Sequence, residues 1–241
     1  MNSALPPGWY IQLLGNKVDL EDWLHALTKP FDPVAIKDEH GSYLLSSKDF
    51  ALAKEATDIR EKAQAVVARL NGAMSITHRS GPISCGGVYL IDGDGRRHVT
   101  VFAEMGVISL GRIAMRATAV AIGPNGEPLP PPPPQPSTAQ SWNDFSTKND
   151  DIADLLEQHG KSNGWYEIYK TIELAEHIVG GKHKLEKLLG EACHDFRNIR
   201  QTANFYRHAR APRPVVLTNL IDAKSLLNFI VRTVIEKRLE R

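Results

Sequence analysis

The sequence predicts an α+β N-terminal domain, an antiparallel sheet packed on one long helix, followed by an all-α C-terminal helical bundle. Three observations carry this. Short alternating apolar runs separated by turn residues fill the first half. The stretch GPNGEPLPPPPPQPSTAQS at 123–141 interrupts the chain with residues that fix φ and lack backbone donors. After it, apolar residues recur only at helical steps of three and four. The expected division is 1–122, a proline-rich linker at 123–141, and a bundle at 142–241.

In order, WYIQLLG (9–15) reads as a strand and DLEDWLHAL (19–27) as a short helix with Asp19 as N-cap. VAIKD and SYLLS flank EHG as a hairpin. A helix is expected from about Lys48 to Leu70, with Leu52, Ala56, Ile59, Ala63, Val66 and Leu70 as one stripe. Ser47 would cap it and Asn71-Gly72 stop it. VYLID and RHVTVF surround GDG as a second hairpin, and RIAMRATAVAIG (112–123) alternates like a last strand.

The five prolines at 130–134 favour a stiff polyproline II spacer, a shape that SH3 or WW-type modules also read. Beyond it, Asn149 or Asp150 opens a short helix through Leu156. GWYEIYKTIELAEHIV (164–179) is amphipathic and ends at Gly180-Gly181. A long helix is expected from about Lys184 to Arg207, and Asn219 with Asp222 starts the last one, ending near Lys237.

Composition bounds the function. The chain has 241 residues, 42% hydrophobic and 24% charged, and a formal net charge of +1. No global field draws it to nucleic acid or anionic lipid, so such affinity would need a local patch. Cys85 and Cys193 stand alone, which argues against a disulfide scaffold or a four-cysteine zinc site. The N-terminus shows no secretory pattern, and no apolar run reaches the roughly 20 residues that span a bilayer. A cytoplasmic protein with no membrane partner is expected. No P-loop, dinucleotide fingerprint or Gly-x-Ser-x-Gly elbow occurs, so no cofactor is expected. Glu191-x-x-His194 has the helical spacing of di-iron bundles but lacks a second copy after the linker, and no metal site is expected.

The segment HDFRNIRQTANFYRHAR (194–210) is where function is sought. Leu185, Leu188, Ala192, Phe196, Ile199, Ala203 and Tyr206 form a buried stripe. Beside it His194, Arg197, Gln201, Asn204 and His208 step by three and four along a neighbouring face, with Arg200, Arg207 and Arg210 elsewhere on the helix or past its end. From His194 to Arg213 there are five arginines against one aspartate, an excess of four positive charges. Arginine forks suit phosphate, and histidine can move protons near neutral pH. A solvated helix face, its cationic end stabilising the helix dipole, is the plainer reading of the same residues.

The helical bundle, the late long helix and the Arg/His pair together resemble the HEPN domains of prokaryotic toxins and defence nucleases. TANFYRHA also looks like a segment of bacterial proteins of unassigned function. The HEPN resemblance implies metal-independent RNA cleavage by a homodimer, with His208 and Arg200 or Arg197 at the site. In that family a short interval separates the arginine from the histidine. Here seven residues separate Arg200 from His208, and ten separate Arg197 from it. The residues themselves favour a non-catalytic binding or interaction module whose ridge, His194, Arg197, Gln201, Asn204, Arg207, His208 and Arg210, engages RNA or a protein partner.

Overall fold

A computed structural model of the chain describes residues 5–102, 133–208, 214 and 216–240. Five strands, β1 (Gly8–Leu14), β2 (Val34–Lys37), β3 (Tyr43–Ser46), β4 (Ser84–Ile91) and β5 (Arg97–Thr100), form one antiparallel sheet in the order β2-β3-β1-β4-β5. Both hairpins expected from the sequence are present. The region expected as a strand at 112–123 lies outside the described residues.

The sheet carries two apolar faces. Ile11, Leu13, Leu45, Cys85 and Val88 join the main core, while Tyr10, Leu44, Tyr89 and Ile91 make a small cluster on the other side. In β4, Cys85 and Val88 differ in parity yet share the core face. An extra residue makes this possible: Val88 pairs with Ile11 and Cys85 with Leu13, so three steps on β4 match two on β1. Gly86 and Gly87 occupy that bulge, and a bulge resets which side each following residue faces.

Helix α1 (Lys17–Ala26) begins earlier than expected. Its N-cap is Asn16, whose Oδ1 accepts from the Val18 N–H at 2.9 Å. Asp19 is buried in the first turn and accepts from the Gly81 N–H at 2.9 Å. The long helix α2 (Ala56–His78) is displaced from the expected 48–70. Ser47 caps only a 3₁₀ turn at Lys48–Phe50, and Leu52 is 88% exposed. At the other end Asn71-Gly72 is no stop. The Asn71 amide donates to the Ile83 carbonyl and accepts from its N–H, both at 2.8 Å. The helix ends instead on Arg79, at φ 54°.

The largest difference lies at the linker. Residues 138–141, read as its end, are the first turn of α3 (Thr138–Ser146). Ser137 and Gln140 form a capping box there. The Gln140 Nε2 donates to the carbonyls of Thr28 and Pro33, each at 3.0 Å, which fastens α3 to the sheet half. Next come α4 (Asp150–Gly160), capped by Asn149, and α5 (Trp165–Val179), ended by Gly180 in left-handed conformation.

The single long helix expected at 184–207 is two, α6 (Lys182–Leu189) and α7 (Cys193–Arg207), joined by a 3₁₀ turn. Gly190, at φ 56° and ψ −120°, makes the break, a conformation that side chains disfavour. Helix α8 (Leu220–Leu239) starts where expected, with Asn219 accepting from the Asp222 N–H. One apolar core includes Ile11, Trp23 and Leu70 from before the linker and Trp142, Leu155, Phe196 and Ile230 from after it.

Candidate functional site

Helix α7 buries Phe196, Ile199 and Ala203, as its apolar stripe demands. Tyr206, expected to continue that stripe, is 55% exposed. The chain leaves the helix one residue later, so only a neighbour can cover the ring. Trp165 does so, with ring centroids 5.4 Å apart and planes 12° from parallel. Phe205 meets Tyr206 edge-on at 5.3 Å.

The polar row is real over most of its length. His194, Arg197 and Gln201 are exposed and Asn204 is half-buried on one face of α7. His208 departs from it. It is the C-cap, extended at φ −116° and ψ 120°, and its N–H, donating to the Asn204 carbonyl, ties it to the helix. Arg210 lies outside the described residues.

The arginines are engaged. Arg197 Nε donates to Glu186 of α6 at 2.8 Å. Arg200 Nε donates to Glu176 of α5, also at 2.8 Å, and Arg207 Nη1 to Glu173 at 3.2 Å. Arg207 also lies over the Tyr169 ring, 4.3 Å from its centroid. The hydrogen bond from Arg197 holds the Glu186 carboxyl below its ordinary range. Burial works to raise Glu173, but Lys170 and Arg207 outweigh it and hold that carboxyl low. Three positive side chains thus face three negative ones. The excess counted along 194–213 is largely offset by acids that α5 and α6 bring alongside.

A second site was not foreseen. The ends of α2 and α4 and the first turns of α8 enclose a polar cleft of about 430 Å³. Its rim carries Arg79 and Lys224, and no carboxylate lines it among the described residues. His159, from the last turn of α4, is buried against it at 6% exposure. Neither ring nitrogen makes a well-formed hydrogen bond among the described residues. Burial pushes the imidazole down to about 4; the Asn228 side chain beside it opposes this, and the Lys224 charge adds to it. The ring is therefore neutral at pH 7, with one donor and one acceptor. Ser162, beside it, is already bonded to Thr171 at 2.7 Å.

Sequence reasoning missed this cleft because its parts come from three distant segments. His159 alone reads as a cation at a helix C-terminus. Among the described residues, no group of three or more His, Cys, Asp or Glu side chains is placed to hold a metal, and no helix is long and apolar enough to cross a membrane. Comparisons with protein-family models, with curated proteins and with solved structures find no match to this chain.

Proposed function

We propose that the protein is a non-catalytic binding module that engages a protein partner through the face built by α5 and α7. The observation that carries this reading is the half-exposed Trp165–Tyr206 stack on the same two helices that bring Arg200 and Arg207 over the Tyr169 ring, each arginine held by a glutamate. Tryptophan, tyrosine and arginine dominate the energetics of protein interfaces. Here the arginines are already oriented, so a partner orders few side chains on docking. The near balance of charge across the face favours a partner surface of mixed sign over a polyanion, whose binding rests on unneutralised cations.

The test is photo-crosslinking with p-benzoylphenylalanine in place of Tyr206, and separately of Gln201. Both probes should capture the same protein, a second copy of this chain included, and a probe at Lys54 should not. Filter binding to a mixed RNA pool supplies the opposing outcome. Salt-sensitive RNA binding weakened by Arg197→Ala would overturn the reading, and RNA cleavage abolished by His208→Ala would replace it with a nuclease.

A further inference from the structure

The cleft between α2, α4 and α8 combines features that an ordinary surface groove lacks. The two ring nitrogens of its buried His159 make no well-formed hydrogen bond among the described residues, although buried polar atoms in folded proteins are nearly always satisfied. Such an atom, on a side chain that lines a cavity, marks a place where a ligand or ordered water completes the bonding. Arg79 and Lys224 stand at the same cleft without a carboxylate opposite either of them among the described residues. The Lys224 ammonium has only the Asn163 side chain, at 3.5 Å. This differs from α7, where each of Arg197, Arg200 and Arg207 has its glutamate.

Two unneutralised cations set the charge of the occupant. A phosphate monoester carries about −1.5 to −2 at pH 7, which matches them, whereas a carboxylate leaves one cation uncompensated. The volume sets its size. About 430 Å³ exceeds what a bare phosphate fills and lies in the range of small-molecule pockets. Ile221, Leu227 and Pro82 supply apolar wall for the remainder, and the neutral imidazole can exchange a hydrogen bond with a polar group on it.

We infer that this cleft binds a small organic phosphate monoester, with the phosphate between Arg79 and Lys224 and the organic part reaching the His159 ring. The site is separate from the α5–α7 face and does not depend on the reading of that face.

Phenyl phosphate is the probe, titrated at constant ionic strength into the full-length protein labelled with ¹⁵N-histidine, and followed through the imidazole nitrogens by NMR. The His159 ring signals should shift saturably, and the other histidines should stay still. Lys224→Gln and Arg79→Gln should each weaken binding about tenfold or more, worth ~1.4 kcal/mol. Lys54→Gln should leave it unchanged, with melting curves confirming that every variant folds. Failure of His159 to respond at millimolar probe overturns the assignment, as does binding by either cleft variant as tight as that of the wild type. Benzoate binding as tightly as phenyl phosphate would refute the match to a dianion. Inorganic phosphate binding equally well would refute a role for the organic part.

Discussion

At the scale of single residues, His159 makes a prediction independent of any ligand. In the unfolded chain its ring binds a proton at about 6.5, the ordinary value. In the folded protein burial lowers this to about 4. Between those values the unfolded state holds the extra proton, so stability rises with pH through that window. The contribution is complete above pH 6.5 and is lost as pH falls toward 4. Its full size is roughly 3 kcal/mol, at about 1.36 kcal/mol per unit. Urea titrations at pH 7 and pH 5 should show this loss in the wild type, and His159→Gln should flatten it. An equal pH dependence in both proteins would mean that other groups dominate.

Among the elements, α2 decides most, and one glycine on it separates two accounts. Judged by propensity alone, Gly72 inside this helix would gain from alanine, which is favoured in helix interiors by about 1 kcal/mol. In the fold, α4 crosses α2 at this point, and a Cβ on Gly72 would stand 2.1 Å from the Leu156 carbonyl oxygen. That atom belongs to backbone and cannot step aside cheaply. Gly160 on α4 faces the same crossing, with the Ala68 carbonyl oxygen and the Gly72 nitrogen each 3.0 Å from its would-be Cβ. Gly72→Ala should therefore destabilise by about 2 kcal/mol or more, overpacking outweighing propensity. Chemical denaturation measures it directly. An unchanged or raised midpoint would remove the close crossing as the reason for glycine.

The molecule as a whole joins its sheet and its helices through the two sides of α2. Ile59, Ala63 and Val66 lie in the same apolar core as Trp142, Leu155 and Leu156. Polar ties run across as well: Gln140 to the loop before β2, and Arg232 of α8 donating to the Ile76 carbonyl at 3.2 Å. Elements that share a core unfold together, because exposing one face strips the other of its partner. Calorimetry of the intact chain should thus give one transition whose calorimetric and van't Hoff enthalpies agree. Two resolved transitions, or a fragment 1–122 that melts cooperatively alone, would show that the halves are independent.

The sequence by itself determined what depends on near neighbours. The hairpins, the caps at Asn149 and Asn219, the span of α5 and its glycine end, and the buried Phe196–Ile199–Ala203 stripe are set by residues at most a few steps apart. Local hydrogen bonds and periodicity suffice for these. Even α3 was announced locally, by Ser137 and Gln140, although the prolines before it disguised the capping box. Tertiary structure alone decided the rest. Asn71-Gly72 has the composition of a stop, but the amide is consumed by Ile83 and the missing side chain admits Leu156. The arginines of α7 look like a cationic ridge until folding sets Glu173, Glu176 and Glu186 against them. Arg79, His159 and Lys224 mean nothing as a string and form one cleft when three helix ends converge. In each case the deciding partner is far away in sequence, and charge, close contact and desolvation act through space rather than along the chain.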